Sequence, residues 1–304
     1  MNVYKLPGVR NFFKWAHGVV IPGANGATLY EVGKFFVREI RTLKLQERAA
    51  AVTYNFLMAM PPTFLILFSL LGYLPLKNVD NTIFTVLKLI TPNKNIYQSV
   101  HNVLVEFMSK QHGGVLSYGI ILVLFFSSNG VMGLLRCFDK SQIYKPRTGV
   151  KRRWTAVRIT LMLIGVIIIT LTVLIIQSRD LNPYVLHIFH NFAAVKIISS
   201  VILMALVFIT ISLIYTHGPS LTQKFRFVSA GSVFATVLSI ITTSVFFFLV
   251  NNFLYYNKLY GSIGTLIAFM VWVWLNTIII LLGYELNVSI LLGKLSREDI
   301  DEDD

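Results

Sequence analysis

The chain has 304 residues, of which 55% are hydrophobic and 13% charged, whereas an average soluble domain carries about a quarter charged residues. With a mean hydropathy of +0.67, disorder, a collagen-like chain and a water-exposed globule of this size are all excluded. The single Cys137 forms no internal disulfide and no Cys-rich zinc site, and a net charge of +13 raises nucleic acid as a partner until its distribution is examined.

A membrane-spanning helix needs about twenty mostly apolar residues, because the hydrocarbon is about 30 Å thick and each residue rises about 1.5 Å. In chain order, six stretches meet this requirement: 49–74, 115–135, 156–177, 195–216, 228–255 and 263–292. The alternating ten-residue segments of a membrane β-barrel are absent. The expected fold class is therefore all-α, a polytopic membrane protein with six transmembrane helices. Residues 1–27 are expected to form an N-terminal cytoplasmic segment without a cleavable signal, 28–292 the membrane domain and 293–304 an acidic, disordered tail.

Of the 27 lysines and arginines, 20 fall in alternate segments: 1–48, the connection between the second and third spans with its margins, the connection between the fourth and fifth, and the stretch after the sixth. The positive-inside rule places both termini in the cytoplasm. The same asymmetry accounts for the basic balance without nucleic acid. Within 28–48, Leu29, Val32, Phe36, Ile40 and Leu43 recur at helical spacing opposite Lys34, Arg38, Arg41 and Arg48, which predicts an amphipathic helix at the inner membrane surface. Apolar stripes between Ile83 and Ile90 and between Val100 and Met108 predict two further amphipathic helices on the outer face.

Polar groups inside the apolar spans are the candidates for function. Of 14 acidic residues only Glu285 falls inside a span, where a carboxylate costs on the order of 3 kcal/mol. It is expected near the inner edge of the hydrocarbon. One reading makes it half of a structural ion pair with Arg48, Arg136 or Arg158; the other makes it a protonatable, substrate-coupling group. Asn276, Gly283 and Asn287 share one face of the sixth span, suited to close helix approach and hydrogen bonds across helices. Tyr54 and Asn55 sit at the inner end of the first span and Asn129 in the middle of the second. Pro61-Pro62 lies near the midpoint of the first span and predicts a kink or break, since proline lacks the amide donor and clashes one turn back.

Several of these pieces resemble the YihY / virulence factor BrkB family. They are Arg48-Ala-Ala-Ala-Val-Thr-Tyr-Asn55 running into Met60-Pro61-Pro62, Ser127-Ser128-Asn129-Gly130 leading to Phe138-Asp139-Lys140, and Tyr260-Gly261-Ser262-Ile263-Gly264-Thr265 with Trp272 and Leu281-Leu282-Gly283-Tyr284-Glu285-Leu286-Asn287. The similarity runs from about residue 28 to 292, and Tyr284 departs from the small residue usual before the glutamate. The resemblance implies a six-helix protein of the bacterial cytoplasmic membrane, in a family linked to serum resistance and envelope lipid transport. That family has also carried the name ribonuclease BN. A zinc nuclease needs a dense His/Asp cluster, and of the six histidines only His187 and His190 share a helical face, on the outer side. No phosphate-binding Gly-rich loop with its lysine occurs either. The expected protein is not an enzyme and uses no cofactor or metal.

Two functions remain open at this stage. In the first, Glu285, Asn129, Asn55, Tyr54, Pro61, Pro62, Asn276 and Asn287 line or gate a path for lipid or another amphiphile, with proton coupling through Glu285. In the second, the same groups only hold helices together in a membrane scaffold or envelope assembly factor. Membrane lipids are the expected partners in both, with a second copy of the chain or an envelope protein as further partners.

Overall fold

A computed structural model describes residues 18–20, 28–42, 44–71, 98, 113–139, 147–176, 192–221, 223–252 and 262–303. Every regular element among them is a helix: α1 (Leu29–Thr42), α2 (Leu45–Leu71), α3 (Gly113–Phe138), α4 (Gly149–Ile176), α5 (Phe192–His217), α6 (Ala230–Asn252) and α7 (Ser262–Asp303). Five of them, α3 to α7, are long and apolar enough to cross a membrane. The first expected span corresponds to α2, whose 27 residues reach about 40 Å, so it has the length of a span but is not among those five. The expected N-terminal segment and the two outer amphipathic helices lie outside the described residues, apart from isolated positions.

Each helix from α2 to α7 packs on its neighbours in sequence, and α7 closes on α2, so the six form a ring. The buried core lies at one end of it. Ala49 and Val52 come from the start of α2, Leu134, Leu135 and Phe138 from the end of α3, Ala156 and Ile159 from early in α4, Ile214 and Tyr215 from the end of α5, and Leu281, Tyr284 and Val288 from α7. The alternating topology brings these chain ends together, and they are the ends flanked by most of the basic residues. Along the rest of the ring, Ile167 to Ile169 on α4, Val201 and Met204 on α5, and Val237, Ile241 and Phe248 on α6 are exposed. An apolar surface of this extent suits hydrocarbon and not water.

Helix α1 starts with a reciprocal cap: the Glu31 amide donates to Thr28 Oγ1 at 3.3 Å and the Thr28 amide to Glu31 Oε2 at 2.8 Å. Val32 on its apolar face packs on Leu286 and Ile290 of α7, while Lys34 and Arg38 stay exposed. The helix ends at Thr42, and Lys44 at φ 43° redirects the chain into α2, so the amphipathic stretch is shorter than the expected 28–48.

Two further expectations are corrected. Helix α2 runs without interruption through Pro61-Pro62. Proline removes the donors that would reach the Leu57 and Met58 carbonyls, but its fixed φ of about −65° is itself helical, so the pair does not break the helix. The acidic tail, expected to be disordered, continues α7 to Asp303. Extending an established helix adds one bond per residue fixed and avoids the cost of nucleation.

Candidate functional site

Several polar and aromatic groups of the ring converge at its packed end, the floor. Helices α3, α5 and α7 alternate with the others around the ring, and here their aromatic side chains meet. The Phe138 and Tyr284 rings lie 4.2 Å apart, and Tyr215 stands 6.3 Å from Phe138 and 6.4 Å from Tyr284. Both tyrosine hydroxyls donate to backbone carbonyls of another helix, Tyr215 to Ile280 at 2.6 Å and Tyr284 to Phe138 at 3.1 Å. A buried tyrosine thereby keeps its hydroxyl satisfied while its ring fills the floor. Tyr284 is a central packing element of the floor. Tyr215 carries no signal in a sequence already rich in aromatic residues, and nothing in the Phe138-Asp139-Lys140 stretch marks Phe138 as its packing partner.

Glu285 is 1% exposed, beside this cluster and close enough for its charge to act on Tyr215. Its own carbonyl accepts from Ser289 Oγ at 2.7 Å, one turn further on. Among the described residues no ion pair joins Glu285 to Arg48, Arg136 or Arg158. Arg136 and Arg158 are exposed, so their long side chains reach solvent or headgroups, and Arg48 buries its Nη1 without a hydrogen bond.

The buried ion pairs of this end belong to Asp139 instead. Its two carboxylate oxygens take Arg147 Nη2 at 3.2 Å and Arg152 Nε at 2.6 Å, and Arg147 Nη2 also donates to the Gly218 carbonyl at 2.9 Å. One acid thus ties the end of α3, the start of α4 and the end of α5. Asp139 lies in the turn after α3, and nothing in the spacing of the sequence reports that the 147–152 segment folds back on it.

Asn276, Gly283 and Asn287 all face α6. Asn287 Oδ1 accepts the Gly231 amide at 2.7 Å, and its Nδ2 donates to Ser229 Oγ at 2.9 Å. Ser229 in turn accepts the Ser232 amide at 3.2 Å, so α7 and Ser229 together cap the exposed amides of the first turn of α6. Helices α6 and α7 approach so closely here that a Cβ on Gly231 would stand 2.0 Å from the Gly283 carbonyl oxygen. Asn276 donates to the Trp272 carbonyl at 2.9 Å and more distantly, at 3.5 Å, to Thr243. Asn287→Ala removes two buried hydrogen bonds across helices and is expected to cost about 2 kcal/mol, against less than half of that for Asn276→Ala. Thermal unfolding of the two purified variants in detergent checks the order.

The other candidates do not join the floor. Tyr54 is exposed on the outside of α2. Asn55 donates to the Ala51 carbonyl one turn back at 2.9 Å and packs against Gly133 of α3. Asn129 is taken by Arg153 of α4, which donates to its Oδ1. Pro61 and Pro62 lie in continuous helix.

A ring of long apolar helices with its exposed flanks suited to lipid defines a multi-pass α-helical membrane protein. The chain belongs to the virulence factor BrkB family, whose pattern matches residues 36–302. It is 29% identical to the protein YfkH of Bacillus subtilis, which carries a ribonuclease-like name, over 83% of this chain and 91% of that one. It is 23% identical to the UPF0761 membrane protein NTHI0384 of Haemophilus influenzae, over 85% of this chain and 94% of the relative. A UPF0761 membrane protein of Pseudomonas aeruginosa is also 23% identical, over 88% of this chain and 64% of its own length. No solved structure matches the chain.

Proposed function

We propose that this protein moves lipid or another amphiphile in the bacterial cytoplasmic membrane, with both termini in the cytoplasm and Glu285 as the group that couples movement to protonation. The observation that carries the reading is the carboxylate itself, 1% exposed where the alternate helices α3, α5 and α7 meet around Phe138, Tyr215 and Tyr284. A buried acid in a membrane bundle is costly, and a change of charge or of packing during work accounts for its presence. Orientation rests on the placing of 20 of the 27 basic residues on one side. We infer no enzymatic activity, and the ribonuclease-like name of the Bacillus relative is not carried over. The histidine pair at helical spacing, His187 and His190, is expected on the side opposite the basic residues, away from any cytoplasmic RNA.

A scaffold without transport is the second reading. It is favoured by the asparagines, since Asn55, Asn129, Asn276 and Asn287 all spend their side chains on hydrogen bonds within or between helices. Vesicles reconstituted with the full chain and a fluorescent lipid analogue separate the two. Glu285→Gln is expected to fall to the rate of protein-free vesicles with unchanged thermal unfolding. Wild-type protein that moves no lipid, with or without a proton gradient, overturns the transport reading.

A further inference from the structure

One arginine near the floor is held in an arrangement that the ion pairs of this end do not use. Arg153 projects from α4 towards α3, where it donates to Asn129 Oδ1 and, at 3.2 Å, to the Phe125 carbonyl. Its guanidinium carbon lies 4.4 Å from the centre of the Phe125 ring. All three partners are neutral, and among the described residues no carboxylate pairs with Arg153. A guanidinium has five donors, so this anchoring fixes the group and leaves donors and the whole positive charge for another ligand.

The surroundings show what kind of ligand fits. Next to Arg153 stands Trp154, 75% exposed, and Arg158 is exposed one turn further along α4. An outward tryptophan beside cations is the composition of a protein surface at the headgroup level. From the same place Phe125, Leu122 and Ile121 continue along α3 as exposed apolar surface. Because α3 and α4 run antiparallel, these residues lead away from the basic end and into the apolar part of the ring's flank. The surface is therefore cationic at one end and oily along the other.

We propose that the α3–α4 flank binds an anionic phospholipid of the leaflet bordering the basic end of the bundle. Its phosphate sits on Arg153, and an acyl chain lies along Phe125, Leu122 and Ile121. Arginine suits this role because its planar fork matches phosphate oxygens two at a time. The site lies on the outside of the ring, so it is separate from the floor and from Glu285, and it does not depend on the transport reading.

The test uses the full chain purified from membranes into detergent and offered phosphatidylglycerol and phosphatidylcholine together, with retained lipid counted by native mass spectrometry. Wild-type protein is expected to retain phosphatidylglycerol in preference. Arg153→Gln is expected to lower that preference about fivefold, the equivalent of about 1 kcal/mol for one cation near a charged headgroup. Asn129→Asp is the second variant: it keeps Arg153 and its packing but supplies a carboxylate, so the same loss is expected with the arginine still present. Equal retention of the two lipids by wild type, or an undiminished preference in Asn129→Asp, overturns the proposal. A loss in both variants with Lys34→Gln unchanged supports it, since Lys34 is an exposed cation on α1.

Discussion

Gly231→Ala is expected to destabilise the protein by about 3 kcal/mol, a large effect for one methyl group. The added Cβ would stand 2.0 Å from the Gly283 carbonyl oxygen and 2.6 Å from the Asn287 side-chain carbon. The first of these is backbone, which no rotamer change moves aside, so α6 and α7 have to separate. Separation breaks the Asn287 contacts that cap α6 and opens the floor beside Tyr215, whose hydroxyl would lie 2.5 Å from a Cβ on Gly283. Gly165→Ala is the control. Nothing lies within 4 Å of its added Cβ, and alanine gains about 1 kcal/mol of helix propensity there. Thermal unfolding in detergent measures both, and equal behaviour of the two variants contradicts the close crossing.

The second large effect is at Asp139. Asp139→Asn takes away the carboxylate between Arg147 and Arg152, and removing one partner from a buried ion pair costs about 3 kcal/mol or more. The side chains of Asp139 and Arg147 are only 6% and 10% exposed, so water screens the pair little. Loss is expected to free the α3–α4 connection first, read as faster proteolysis near 147–152 before global unfolding. Glu47→Gln breaks the solvated Lys44–Glu47 pair and is expected to leave stability and proteolysis unchanged.

How much of this was legible in the sequence depends on contrast. The helices were readable because twenty apolar residues in a row have one physical use, and each expected span overlaps a helix to within a few residues at most of its ends. Glu285, Gly283 and Asn287 stood out because an acid, a glycine and an amide are rare against an apolar background. Phe138, Tyr215 and Tyr284 did not stand out as a cluster, although they fill the floor, since one aromatic residue among many carries no mark of its neighbours. The partners of polar groups were also hidden. Charge and depth suggest Arg48, Arg136 or Arg158 for Glu285, whereas the arginines that form ion pairs at this end are Arg147 and Arg152, and they serve Asp139. Asn129 lies in the middle of the second expected span, and its partner Arg153 follows only from the packing of α3 against α4. Of the kink or break expected at the proline pair, the break does not occur, because the helical φ of proline lets α2 continue through it.

Cysteine accessibility tests directly whether a packed floor lies at the basic end of a membrane ring. Cys137, 6% exposed within the floor, serves as the buried probe, and Arg38→Cys and Arg158→Cys supply exposed ones on α1 and α4. In sealed membrane vesicles an impermeant maleimide is expected to label positions 38 and 158 from the same side, and Cys137 only after denaturation. Labelling of 38 and 158 from opposite sides, or of Cys137 in the native protein as fast as either, contradicts it.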